Sequence, residues 1–170
     1  RFIIIVRDFR DVSLSWYKTP WNKNKTSLFH AFYFRKHLNH LFKMKRVYNK
    51  DIYILKYEDL ITDAKSEIQK ICNFISIDFE DSMLHSRKNT NLFDSKEEPW
   101  KSNVLNSIDQ NNSQKWKKNM HKLDSMMIQE INRSFMKEFR YKLQKDNFLI
   151  LCLKNPFYSL KILFQTIIAV

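Results

Sequence analysis

Not one of the 170 residues is glycine. At an average usage of roughly 7%, about twelve would be expected. Glycine is the residue that reaches positive φ without steric cost and lets a backbone come into contact with a phosphate. Its absence excludes a GxxxxGK[ST] phosphate loop, a GxGxxG dinucleotide turn and a nucleophile elbow from this chain. Cysteine adds a second exclusion. Cys72 and Cys152 stand alone and far apart, which leaves no disulfide scaffold and no CxxC zinc ribbon.

The remaining composition is that of a globular domain, 44% hydrophobic and 28% charged, which argues against wholesale disorder. The length suits about one domain. A net charge of +12 favours a polyanionic partner: a nucleotide, a nucleic acid, a sulfated glycan or an acidic membrane. Lysines that merely solvate the surface explain much of that charge equally well. Arg1 leads directly into Phe2-Ile3-Ile4-Ile5-Val6, so no signal peptide is expected on this stretch. The expectation is a piece that starts inside a larger domain.

Phe2 to Val6 has the β-branched apolar run of a strand covered on both faces in a parallel sheet. Asp8 can N-cap a helix from about Phe9 to Lys18, with Asp11 as its capping-box partner, and Thr19-Pro20 ends it. A long helix follows, about Ser27 to Met44, with Phe34, Leu38, Leu41 and Phe42 at helical spacing. Asp51 to Tyr57 is a second strand, and Glu58-Asp59-Leu60 reads as the turn after it. Thr62 or Asp63 caps a helix from about Ala64 to Ile75, whose apolar face is Ile68, Ile71, Cys72 and Ile75. From about Asp78 to Asn119 the chain is polar and irregular. A helix from about Leu123 to Phe139 carries Leu123, Met127, Ile131 and Phe135 on one stripe, and Phe148 to Val170 is strongly apolar. Strand, helix, strand, helix with a long crossover describes an α/β layer architecture.

The segment richest in chemistry is Arg7-Asp8-Phe9-Arg10-Asp11-Val12-Ser13-Leu14-Ser15. Arg7 lies at the carboxyl end of a parallel strand, where open α/β sheets bind ligands. A helix N-terminus offers unpaired N–H groups, arginine a planar fork for phosphate and serine a neutral donor. Those parts make a phosphate site that needs no glycine. On the residues alone a second reading stays open, in which Arg7 pairs with Asp11 and Ser15 simply packs.

This segment resembles the 3′-phosphate signature of PAPS-dependent sulfotransferases, RDPRDxxxS, with Phe9 in place of the common proline. Tyr57-Glu58-Asp59-Leu60 resembles the family's YEDL. Ile68 to Phe79 is similar to its apolar run ending in an FxxI-DF segment, and Phe139-Arg140-Tyr141 to its late FGY, with arginine for glycine. Trp100-Lys101 and the loop Asn111 to Lys117 resemble later pieces, so the likeness runs in order over about residues 1–142.

The resemblance implies a three-layer α/β fold with a parallel sheet and a P-loop-NTPase-like sulfotransferase architecture, present here in part. Residues 1–147 would be its carboxyl-side portion and residues 148–170 an apolar extension. The implied reaction is transfer of a sulfuryl group from PAPS to a hydroxyl or amine acceptor, a glycan or small molecule. Arg7 and Ser15 would hold the 3′-phosphate, Tyr57 would lie near the adenine, and Lys115 or Lys117 would supply the charge of a loop closing over the nucleotide. In that loop Asn112 and Gln114 stand where the family has a cation and a glycine. The 5′-phosphosulfate loop and the catalytic base would precede Arg1, so this chain by itself is expected to be inactive. Two other functions remain open: a basic non-catalytic module for nucleic acid or an anionic membrane, and an inactive sulfotransferase-like protein.

Other constellations point to packing. His37 and His40, three apart, with His30 nearby, lack a convincing third metal ligand, so no metal is expected. Cys72 reads as a buried thiol, and Met126, Met127 and Met136 as core. Trp100 and Trp116 among lysines would suit base stacking, but their place in one loop region fits the sulfotransferase pattern better. Phe148 to Val170 is too interrupted to cross a bilayer. It either packs as a terminal helix or lies at a membrane interface with Lys154 and Lys161 toward the headgroups. The expected location is cytoplasmic with membrane association, or the Golgi lumen in a eukaryote.

Overall fold

The β-branched apolar run that opens the chain favours extended backbone, and the computed structural model, which describes residues 1–22, 25–85, 109 and 111–168, has it as β1, Phe2–Val6. It pairs in parallel with β2, Ile52–Lys56, in the register Phe2↔Ile52 to Val6↔Lys56. The protein is thus mixed α/β and mostly helical, with a two-stranded parallel sheet among the described residues. The chain divides into two compact units, Arg1–Arg7 with Tyr48–Ser113 and Asp8–Val47 with Gln114–Val170.

In the first unit β2 is covered on both faces, since Ile52 and Leu55 point opposite ways and both are buried. β1 is not: Phe2, Ile3 and Ile5 are exposed, against the expectation of a strand covered on both faces. The physical reason is that the described residues supply β1 with one strand neighbour only. Glu58-Asp59-Leu60, read from sequence as a turn, lies within a short helix, α3, Tyr57–Thr62. Glu58 and Asp59 sit in its first turn, where the helix dipole favours them, and the Thr62 hydroxyl donates to the Glu58 carbonyl at 2.7 Å. Asp63 caps the helix α4, Ala64–Ile75, by accepting from the Ser66 N–H at 3.1 Å. The Tyr53 and Phe74 rings, 5.5 Å apart, lay α4 against β2. Cys72 is buried as expected.

The second unit is helical. It holds α1 (Phe9–Trp16), α2 (Ser27–Val47), α5 (Trp116–Asn119), α6 (Lys122–Ile131), α7 (Arg133–Glu138), α8 (Phe148–Lys154) and α9 (Pro156–Ile168). Ala31, Phe34, Leu38 and Leu41 recur at helical spacing along α2 and are buried where α2 packs on α6. The single helix expected over Leu123–Phe139 is two helices. At the break, the buried Asn132 amide donates to the carbonyls of Ile128 at 3.0 Å and Ala31 at 3.1 Å. An asparagine that bonds its own helix's carbonyl competes with the helical ladder.

Among the described residues, three carry positive φ in place of glycine: Ser76 at 63°, Gln114 at 57° and Arg140 at 57°. Two of them close helices in the same way. At Ser76 the N–H groups of Ser76 and Ile77 reach back to the carbonyls of Asn73 and Cys72. At Arg140 those of Arg140 and Tyr141 reach Lys137 and Met136. That is the Schellman pattern, whose left-handed residue is normally glycine. A side chain in this region costs about 1 kcal/mol or more. Because Arg140 is exposed, Arg140→Gly is expected to stabilise the protein by about 0.5–1 kcal/mol. Thermal unfolding should show a midpoint raised by roughly 1–4 °C, and a lowered midpoint would count against the strain.

Candidate functional site

The first unit contributes Arg7, Tyr57 and Asn112. Arg7 follows β1, and Tyr57 follows β2, so the parallel register carries both to the same end of the sheet. The Arg7 guanidinium lies over the Tyr57 ring, 4.3 Å from its centroid, a cation–π contact. One Arg7 nitrogen donates to the Asn112 carbonyl at 2.6 Å, and the Asn112 amide donates to the Tyr57 hydroxyl at 2.7 Å. Arg7 Nε is buried without a hydrogen-bond partner. Among the described residues no carboxylate pairs with Arg7. A half-buried cation held in place by a ring and a carbonyl, with its charge unmatched, is a group prepared for an anion.

The second unit contributes the rest of the signature, and most of it is structural. The Asp8 carboxylate caps α1 through the Arg10 N–H at 3.0 Å. It also takes the Arg10 guanidinium in a two-point ion pair, Nε to Oδ1 at 2.9 Å and Nη2 to Oδ2 at 2.7 Å. Arg10 is itself buried, stacked over Trp116 at 3.7 Å, and donates to the Lys142 carbonyl at 2.9 Å. Asp11, expected to complete a capping box, instead accepts the backbone N–H of Gln114 at 2.6 Å and of Trp116 at 2.9 Å. Ser13 faces inward and Ser15 outward on α1. The Ser15 hydroxyl has no partner among the described residues.

Lys115 and Lys117 flank buried Trp116 and are both exposed. Lys117 bonds the Gln114 side chain and lines a cavity of about 350 Å³ with Trp116, Met120, Lys122, Ser125 and Asp146. Trp100-Lys101 lies outside the described residues. Of the five expected donor-site residues, Arg7 and Tyr57 are in contact. Ser15, Lys115 and Lys117 belong to the other unit. Sequence reasoning missed Asn112 as a partner of Arg7 and Tyr57. It also missed Arg10 and Asp11 as the residues that hold the 114–116 turn. The only signal for the latter was the position of two charges in the first turns of an otherwise packed helix.

Ser13 and His30 share a 2.6 Å hydrogen bond, an arrangement that in an open cleft would suggest a nucleophile and its base. Both are fully buried, so no substrate reaches them. Burial pushes the His30 pKa down to about 4. Among the described residues no group of His, Cys, Asp and Glu is placed to hold a metal ion.

The chain matches the sulfotransferase domain family over residues 1–140, and it belongs to that family. No curated protein and no solved structure matches it. The resemblance drawn from RDFRDVSLS and YEDL therefore holds at the level of the family.

Two outcomes follow from these contacts. Asp11→Ala leaves two N–H groups without their acceptor and is expected to cost about 2–4 kcal/mol in urea unfolding; a change under about 0.5 kcal/mol would mean the turn is held by other contacts. His30 binds its proton less tightly folded than unfolded. Its contribution is therefore complete above pH 6.5 and is lost as the pH falls toward 4, by roughly 3 kcal/mol over the window. The loss of stability between pH 7.5 and 4.5 should be smaller in His30→Gln than in the unmodified chain, and equal losses would remove His30 as the cause.

Proposed function

We propose that this chain supplies the 3′-phosphate and adenine side of the donor site of a PAPS-dependent sulfotransferase. Family membership supports the reaction class. The observation that carries the assignment to particular residues is the Arg7 guanidinium, ordered by Tyr57 and Asn112 and without a carboxylate partner among the described residues. In this reading Arg7 and Ser15 bind the 3′-phosphate of PAPS, Tyr57 lies beside the adenine, and Lys115 or Lys117 adds charge from the loop around Trp116. The sheet to which β1 and β2 belong is then the parallel sheet of a three-layer α/β architecture.

The reaction is an in-line displacement. The acceptor hydroxyl or amine forms a new bond to sulfur, the bond from sulfur to the 5′-phosphate oxygen breaks, and adenosine 3′,5′-bisphosphate leaves while the acceptor loses its proton. As in phosphoryl transfer, positioning and charge neutralisation carry most of the catalysis. Arg7 and Ser15 act by position, fixing the nucleotide from the end away from the transferred group. Gln114 keeps the left-handed backbone conformation that a glycine there would take, which favours a loop of family-like path over a degenerate one.

Calorimetry with adenosine 3′,5′-bisphosphate and with 5′-AMP tests the assignment. The bisphosphate should bind more tightly than 5′-AMP. Arg7→Ala should weaken the bisphosphate by roughly 10- to 100-fold, Ser15→Ala by less, and neither should much affect 5′-AMP. Equal loss for both nucleotides, or none for either, would remove the 3′-phosphate from Arg7. Retention on DNA without nucleotide binding would favour the basic binding module instead.

A further inference from the structure

We propose that the outer face of α8 and α9 docks on the surface of an anionic lipid bilayer. The inner face of this helix pair is fixed. Ile162 is buried against Leu123 and Met127, with Phe148, Leu151, Cys152 and Tyr158 packed around them. The Tyr158 hydroxyl donates to Asp124 at 2.7 Å. With the inner side anchored, the rotation of both helices about their axes is set, and so is what they turn outward.

What they turn outward is apolar. Leu149 is 70% exposed, Leu153 79%, Phe157 87% and Phe164 68%, with Ile150 and Leu160 also more than half exposed. Phe157, Leu160 and Phe164 follow i, i+3, i+7 spacing and lie on the side of α9 opposite Ile162. Isolated exposed apolar side chains are ordinary on a protein surface, but a contiguous strip of large ones marks an interaction surface. The strip lies beyond the residues matched to the sulfotransferase domain, which end at 140.

The charge around the strip selects the occupant. Lys154 and Lys161 are exposed, each directly after an exposed leucine, so they rim the apolar face. No aspartate or glutamate occurs from Phe148 to Val170. A second copy docking face to face would bring these lysines against their own counterparts. An anionic headgroup layer would neutralise them while the leucines and phenylalanines enter the acyl boundary. The pair is built to lie in the interface: Asn147 caps α8, Pro156 begins α9, and among the described residues no helix is long and apolar enough to cross a membrane.

Co-sedimentation of the whole chain with phosphatidylcholine vesicles, with and without phosphatidylserine, tests the proposal. Binding should be at least roughly tenfold stronger to the serine-containing vesicles and should weaken in high salt. Lys154→Glu with Lys161→Glu should abolish that preference, and Phe157→Glu with Leu160→Glu should abolish binding to both. The far-UV circular dichroism should stay unchanged, because all four residues are exposed. Failure to sediment with serine-containing vesicles would overturn the proposal, as would equal binding to both. A dimer in light scattering that Phe157→Glu makes monomeric would assign the face to a second copy and overturn it as well. None of these outcomes bears on nucleotide binding at Arg7.

Discussion

The Asp11 carboxylate is the constraint on which the second unit depends. It takes two backbone N–H groups from a turn more than a hundred residues away in sequence. The turn is polar and has no helix of its own before Trp116, so without Asp11 the Trp116 N–H would lie buried without an acceptor. Once that turn is held, Trp116 is positioned to receive the Arg10 guanidinium on its ring, and Arg10 in turn reaches the Lys142 carbonyl. Two acids and one base in four residues thereby tie the 114–116 turn, Gln129 and Lys142 to the start of one helix. The buried Asp8–Arg10 pair is tolerated because its remaining donors are met by Lys142 and Gln129 rather than left empty.

This division of labour explains why a charge-rich signature leaves so few charges for a ligand. Asp8, Arg10 and Asp11 are used up within the second unit. Arg7, one residue before Asp8, belongs to the first unit and finds a ring and a carbonyl there, neither of which cancels its charge. The alternative left open by the residues alone, Arg7 paired with Asp11, has lost its motive: each group has partners inside its own unit. The proposed role of Arg7 as an anion ligand rests on that difference between being held and being neutralised.

Much of the secondary structure was legible from sequence. The β-branched run Phe2–Val6, the Asp63 cap and the Ile68–Ile75 face are local signals, and α4 falls where its spacing puts it. The Arg7 and Tyr57 pairing was legible only through resemblance, because nothing within either segment says that the two strands are neighbours. The misreadings lie in three places. YEDL has the polarity of a turn, yet its acids sit where a helix dipole welcomes them. Asn132 breaks a helix through a contact with Ala31, a residue 101 positions away. Asn112 looks like a weak substitute for a cation, but it acts through its main-chain carbonyl on Arg7 and its side-chain amide on Tyr57. Tertiary hydrogen bonds decide the last two, and a linear pattern does not contain them.

The absent glycines turn out to constrain energy rather than geometry. Among the described residues the backbone still enters the left-handed region at three places, through Ser76, Gln114 and Arg140. At the two helix ends the Schellman hydrogen bonds fix the conformation whatever the side chain. At Gln114 it is Asp11 that holds the backbone, through the very N–H of the left-handed residue. A loop that a glycine would have adopted freely is here imposed by a buried carboxylate. The turn beside Lys115 and Lys117 is therefore as stable as that one acceptor, which makes its shape depend on α1 more than on its own sequence.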